Sequence, residues 1–474
     1  MRNMLLLSVS ALLAGCAVGP EYHRADMALS SGFHAGAISA EDGRDWWSHF
    51  NDPLLDKLVA QALAQNLDVA AAAARIAQAR AAVTRANADL LPSVSATGSA
   101  QRDRTSADTP NGAVADRLMF PLSYSLYQIG AEAAWEVDLF GELGRRQEGA
   151  RAQAAAVVAD ANAVRLSVAA ETADTYLQLR GLQSRLAVAE QQLANEKQLS
   201  RLIEERVAQG LTPPRELNRV SGEVQELDAN LPPLRAAISA QINRLSALTG
   251  RQAGPMYEDL QLPGDIPLAP DPAGDADPAA LMRRRPDLVA AERRVAASNA
   301  RIGEAMGEYY PHFSLGGLLS TATLSTGNLF ADRTTQGTGF AGLRWRLFDF
   351  GRVDAEVAQA KGKNAEALAQ YRGAVLHATE EVENALSQLA EGRMEIAARE
   401  REISALSQAR DQARQAYSGG VIALVEVLDA DRALLNASDR LATARAAAAR
   451  ASVAAVRALG GGFGTPSHVN GVQS

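Results

Sequence analysis

Two parts of this chain carry residues whose type and spacing suggest chemistry. The first is Cys16, the single cysteine of 474 residues. One thiol makes neither a disulfide nor a zinc site within the chain. It follows Arg2 and an apolar run from Met4 to Ala14, too short to span a bilayer and suited to the centre of a secretory signal. Leu13-Ala14-Gly15-Cys16 matches the bacterial lipobox. The expected chemistry is S-diacylglycerol attachment, cleavage before Cys16 and N-acylation of the new terminus. Ala17 stands where an inner-membrane retention signal would place Asp, which directs the mature chain to the outer membrane of a diderm bacterium. The second part is acidic. Glu426 and Asp429 lie at i and i+3 near an expected helix start, so their carboxylates share one face and complement the helix dipole.

No constellation points to catalysis. The six histidines (His23, His34, His49, His312, His377, His468) lack metal-ligand spacing, and no glycine-rich phosphate loop is present. Neither a cofactor nor enzymatic activity is expected, so any transport must draw its energy from a partner. Charged residues make up 22% and the net charge is −8, which argues against nucleic acid as a partner. No apolar run reaches the length of a transmembrane helix. Aromatic residues are only 5%, while alanine is abundant, a composition that favours long, closely packed helices.

The elements that must position these residues follow from an internal repeat. Residues 75–92 (RIAQARAAVTRANADLLP) align with 294–311 (RVAASNARIGEAMGEYYP), ending on Pro92 and Pro311. WEVDLFG at 135–141 aligns with WRLFDFG at 345–351, and the same offset of 210 pairs Gly210 with Gly420, Glu216 with Glu426 and Gly250 with Gly460. Proline is missing from 122–212 and from 312–465, so 142–209 and 352–419 read as unbroken helices. Each would run about 100 Å at the α-helical rise, the length of a rod or tube wall. Shorter helices flank them. Asp52-Pro53 starts one to about 91, with Asp52 as N-cap. Thr212-Pro213 starts another to about 249, which Pro232-Pro233 is expected to kink or break. Helices over 278–310 and 424–459 repeat the plan, and the proline-rich stretch 251–277 reads as a connector. Trp46-Trp47 is expected to pack the N-terminal segment against the body. Arg283 to Asp287 reads as helix punctuation rather than an anion site.

Where the helices stop, the period changes to two. Strands are expected over 93–102, 124–138, 312–321 and 338–348. In the second, Tyr127, Ile129, Ala131, Ala133, Trp135 and Val137 share one face, and Gln128, Glu132, Glu136 and Asp138 the other. In the fourth, Leu343, Trp345 and Leu347 oppose Arg344 and Arg346. Such strands are long enough to cross a bilayer when tilted. Four strands cannot close a barrel, and lipid does not tolerate an open sheet edge, so the chain must oligomerise. Two copies give eight strands with a filled interior. Three give twelve, with a lumen lined by Glu132, Glu136, Arg344 and Arg346.

The residues now match a family. CAVGPEY (16–22), WWSHFNDPLLDKLVAQALAQN (46–66), RRRPDLVAAERRV (283–295) and VEVLDADRALLNA (425–437) together resemble the TolC-like outer-membrane efflux proteins, in their OprM/NodT-type lipoprotein branch. The resemblance covers nearly all of the mature chain. It implies a mainly α fold with a transmembrane β-barrel: a homotrimer whose 12-stranded β-barrel continues into a 12-helix periplasmic α-barrel. By this reading residues 1–15 are the signal, 16–50 an N-terminal anchor segment, 51–250 and 278–460 the two repeats around the connector 251–277, and 461–474 a tail. The implied partners are outer-membrane lipid, a periplasmic adaptor and an inner-membrane pump, of the RND type by the resemblance. The implied role is a passive exit duct for small molecules such as drugs or solvents, with metal-ion efflux or type I protein secretion as alternatives and a structural coiled-coil lipoprotein as the rival class. By position, Glu426 and Asp429 match the family's acidic rings at the periplasmic entrance. Arg215, Glu216 and Tyr417 become candidates for contacts between hairpin tips. Ile422 stands where some members place a gating arginine, so the closed state is expected to rest on other contacts.

Overall fold

The computed structural model describes residues 18–27, 29, 32–34, 45–267 and 284–461. The signal, Cys16, the tail after residue 461 and most of the expected connector's C-terminal half lie outside the described residues. Eight helices of two turns or more are described: α1 (Pro53–Gln65), α2 (Leu67–Ala88), α3 (Pro110–Arg117), α4 (Glu142–Ala208), α5 (Pro214–Leu248), α6 (Pro286–Gly307), α7 (Arg352–Ser418) and α8 (Leu424–Ala458). Four strands accompany them: β1 (Ser93–Arg104), β2 (Ser123–Val137), β3 (His312–Thr323) and β4 (Thr335–Arg344). The chain divides into two compact units.

One unit comprises Met1–Ala25, Ala77–Ala156 and Glu292–Gln370 and holds the sheet. The strands form a single antiparallel sheet in the order β1-β2-β3-β4, with β1 and β4 at its edges. The register sets two unlike faces. Glu132 pairs with Ser95 and Leu318, and Gln128 with Ser99 and Ala322, so Ser93, Ser95, Thr97, Ser99, Gln128, Glu132, Glu136, Ser314, Ser320, Gln336 and Thr338 share one face. Val94, Ala96, Ile129, Ala131, Ala133, Trp135, Leu315, Leu319 and Leu343 share the other. Phe340 is an aromatic exception on the polar face. Its ring lies across Gly316, where a Cβ would sit 2.2 Å from the ring carbon, so the glycine supplies the space the ring occupies.

The strand ends bind the helices alike in both repeats. Trp135 Nε1 donates to the Leu90 carbonyl at 3.0 Å, and Trp345 Nε1 to that of Tyr309 at 3.1 Å. The expected fourth strand is corrected here: β4 ends at Arg344, not 348. Beyond Trp345 the Asp349 carboxylate accepts from the backbone N–H of Gly351 at 3.1 Å and Val353 at 2.8 Å, which turns the chain into α7. The N-terminal segment is clamped in the same unit. Arg145 donates to the carbonyls of Val18 and Gly19, Asn299 to that of Pro20, and the Tyr22 hydroxyl to Glu292.

The other unit comprises Asp26–Ile76, Val157–Ala291 and Tyr371–Ser474. Asp52 caps α1 as the sequence suggests, accepting from Leu54 N at 2.9 Å and Leu55 N at 3.2 Å. The expected single helix from Asp52 to about 91 is two helices broken at Asn66. The Asn66 side chain accepts from the N–H groups of Asp68 and Val69 and donates to the Leu248 carbonyl at 3.0 Å, so it caps α2 and satisfies the end of α5. Of the kink or break expected at Pro232-Pro233, the break does not occur: α5 runs through both. Both prolines are exposed, so the carbonyls they leave unpaired face water. Val220, Val224, Leu227, Leu231, Ile238, Ile242 and Leu245 stay buried on the opposite face. Seven buried side chains at about 1.5–3 kcal/mol each outweigh a proline penalty of about 3 kcal/mol per site. Trp46 and Trp47 are buried edge-to-face, 5.5 Å apart, in the core around Tyr176, Leu177 and Ile242.

Candidate functional site

The two hairpin tips are built alike. After α4, Gly210 N–H bonds to Val207 O and Leu211 N–H to Arg206 O, each at 2.9 Å. After α7, Gly420 N–H bonds to Tyr417 O and Val421 N–H to Ala416 O, also at 2.9 Å. These paired bonds need a left-handed residue, which Gly210 (φ +73°) and Gly420 (φ +76°) supply without a Cβ clash. The repeat-related pairs Gly141/Gly351 and Gly250/Gly460 share positive φ as well.

The tips pack on one another through Ile203, Val220, Leu424 and Leu428, with Val207, Leu217 and Tyr417 at the margin. Arg206 of the first hairpin lies over the Tyr417 ring of the second, 5.4 Å from its centroid. Burial pushes the Tyr417 hydroxyl up, and Glu216 adds to this, while Arg206 and a hydrogen bond with Thr212 oppose it. The structure therefore brings Tyr417 and Glu216 together and adds Arg206 and Thr212. Arg215 is exposed.

Glu426 and Asp429 are both exposed in the first turns of α8. Asp429 lies 4.0 Å from Arg432, whose guanidinium pairs with Glu223 of α5. Behind them sits a buried charged group that residue spacing did not single out. Glu196 and Asp431 are each only 1% exposed. Arg414 Nη2 donates to both Asp431 oxygens at 3.0 Å. Gln192 donates to one Glu196 oxygen at 3.1 Å, and the other has no hydrogen-bond partner among the described residues. Burial raises the Glu196 carboxyl to about 7, helped by Asp431 and resisted by Arg414. Burial also raises Asp431, against its bond to Arg414. A signal existed: Asp431 falls on the stripe Leu424, Leu428, Leu435, and Glu196 on the stripe Leu193, Ile203, so each is a charge at an apolar position.

Three of the four expected lumen residues, Glu136, Arg344 and Arg346, fall at the root of the sheet. Glu132 is exposed mid-strand on the polar face, and Arg344 is exposed opposite His312. Glu136 lies 2.8 Å from His312 Nδ1. Arg346 lies beyond the end of β4 and is not a strand residue; it pairs with Glu308 at 3.1 Å and Glu356 at 3.7 Å. Among the described residues, Glu142, Glu308 and His312 are one group close enough to hold a metal ion. The two ring nitrogens of His312, however, address different carboxylates: Nδ1 faces Glu136 and Glu142, and Nε2 faces Glu308. Arg146 pairs with Glu142 and Glu304, and Arg346 with Glu308, so cations already compensate these acids. Burial raises the Glu142 carboxyl, opposed by His312. The group is an ion-pair network that ties strand roots to helix starts. The i,i+4 spacings of Glu308 with His312 and of Glu142 with Arg146 were its sequence signals. Arg285 serves a similar end: it bonds Asp287, Glu381 and the Ala458 carbonyl, the helix punctuation its setting suggests.

Comparison with known proteins is consistent along the whole chain. The family model described as "Outer membrane efflux protein" matches residues 58–251 and 278–461. The chain is 30% identical over 439 residues to Nodulation protein T of Rhizobium leguminosarum bv. trifolii, covering 92% of each. It is 29% identical to the Pyoverdine export outer membrane protein OpmQ of Pseudomonas aeruginosa, covering 98% of this chain and 97% of the relative. The solved outer-membrane channel OprN superposes with a TM-score of 0.86 at 32% identity, over 94% of this chain and 100% of that one.

Proposed function

Because the chain belongs to the outer membrane efflux protein family, we propose that three copies close one barrel and form the exit duct of an efflux system. The protein is an outer-membrane efflux channel component that spans the outer membrane and extends into the periplasm. The observation that carries the trimer is the sheet itself: four antiparallel strands, two unpaired edges, one apolar face and one polar face. Lipid excludes an open edge, so β1 of one copy pairs with β4 of the next, and three copies give the twelve strands that leave a lumen. The apolar face then meets lipid, and Glu132, Glu136 and Arg344 face the lumen, with Arg346 at its root.

Glu426 and Asp429, three copies each, ring the periplasmic entrance, where like charges collect cations. Tyr417, Arg206 and Glu216 hold the tips together, and Arg215 faces outward for contacts beyond its own chain. A periplasmic adaptor and an inner-membrane pump, of the RND type, supply substrate and energy. The cargo is small molecules such as drugs or solvents. Cys16 carries the lipid that anchors the mature N-terminus, and the clamp on Val18 to Tyr22 fixes where that anchor leaves the body. Planar-bilayer recording of the purified protein tests the duct: discrete, cation-preferring conductance is expected, and an absence of conductance in correctly inserted protein refutes it.

A further inference from the structure

Charged groups buried between helices of a long hairpin are costly unless each is paired. The Glu196 group does not meet that condition when fully ionised. Glu196 of α4 and Asp431 of α8 come from different hairpins, both nearly sealed from water. Arg414 of α7 commits its Nη2 to both Asp431 oxygens, and its buried Nε has no hydrogen-bond partner among the described residues. Glu223 of α5 adds a further negative charge near Glu196, itself held by Arg432. Arg410 and Asp411 of α7 act on Asp431 with opposite signs. One Glu196 oxygen has no hydrogen-bond partner among the described residues, so no donor there compensates its charge when it ionises.

We propose that Glu196 is a proton-controlled clasp between the two hairpins, closed when its carboxyl is neutral and loosened when it ionises beside Asp431. As a neutral acid, Glu196 leaves Arg414 to Asp431 alone, and the junction packs without net surplus charge. As a carboxylate, it sets two buried anions against one guanidinium, and separating the hairpins, which lets water in, relieves the strain.

The direction with pH follows. The packed junction holds the Glu196 proton up to about 7, whereas an opened one releases it near the ordinary value of 4.5. The clasp is strongest below that ordinary value, weakens between the two, and carries its full penalty above the upper one. Effects on the entrance rest on the proposed gate, since Glu426 and Asp429 lie on the same helix; the clasp itself does not.

Two readouts on the full-length protein in detergent test the clasp. Infrared difference spectra should show a protonated-carboxyl band that titrates near neutral pH and is lost in Glu196→Gln, which mimics the neutral acid. Hydrogen exchange, corrected for its intrinsic pH dependence, should quicken about tenfold or more at 191–200 and 427–435 between about pH 5 and pH 8. In Glu196→Gln that change should fall below about threefold. A double variant, Glu426→Gln with Asp429→Asn, should keep the wild-type dependence. Absence of the titrating band overturns the clasp. So does a pH dependence that survives Glu196→Gln, or one that disappears with the entrance acids instead.

Discussion

Replacing Arg414 with methionine removes the guanidinium that compensates Asp431 and keeps most of the side chain's volume. Asp431 would remain 1% exposed, with Glu196 neutral beside it, so the loss leaves the buried Asp431 carboxylate without its cation. Removing one partner of a buried pair costs about 3–5 kcal/mol. The Arg414 side chain is 37% exposed and already shares its charge with water, which places the effect at the low end, about 3 kcal/mol. That corresponds to local opening of the hairpin junction about 150-fold more often. Hydrogen exchange of α8 residues 424–435 at neutral pH measures it. The sign with pH follows from Asp431, whose carboxyl is already raised by burial and rises further without Arg414. Its penalty is absent below the ordinary carboxylate value and grows as pH rises, so acidification should restore protection. Pairing Arg414→Met with Asp431→Leu should return exchange to within about tenfold of wild type, because an apolar pair replaces the ionic one. Exchange unchanged within about threefold in Arg414→Met, or acceleration equal at pH 5 and pH 8, would refute the reasoning.

Other consequences are as direct. Neutralising the entrance acids (Glu426→Gln with Asp429→Asn) should reduce cation preference in bilayer recordings and weaken block by multivalent cations, with assembly intact; unchanged selectivity would falsify the ring. Cys16→Ser should abolish acylation, read as loss of acyl mass on a mature chain that otherwise begins at residue 16. Arg285→Met deprives Asp287, Glu381 and the Ala458 carbonyl of one buried donor group. It should destabilise the junction of α6, α7 and α8 by about 3 kcal/mol, measured by hydrogen exchange at 376–386 and 452–459.

Much of the fold could be read from punctuation. The long helices were expected at 142–209 and 352–419 and run 142–208 and 352–418, because glycine in the left-handed conformation ends each one. Two readings failed, and one of two outcomes expected at a third site did not occur, where distant partners decide. Asn66 breaks a helical pattern because its side chain reaches Leu248, far along the chain. Pro232-Pro233 does not break α5, because the buried stripe on the opposite face outweighs the local penalty. The alternation Leu343, Trp345, Leu347 continues past the end of β4, because Trp345 bonds the Tyr309 carbonyl and Asp349 starts α7. The charged groups were the least legible. Glu196 and Asp431 stood visible as charges on apolar stripes, but that they meet each other and Arg414 is set by the packing of two hairpins. Most of the His312 network was hidden along the chain because its partners Glu136 and Glu142 lie about 170 positions away.

The central claim is that separate chains complete one barrel through their sheet edges. Native mass spectrometry of the detergent-solubilised, full-length protein tests it most directly. The account predicts one dominant species of three chains that dissociates only when the sheet unfolds. A folded, stable single chain retaining its β-sheet signal in detergent would contradict it.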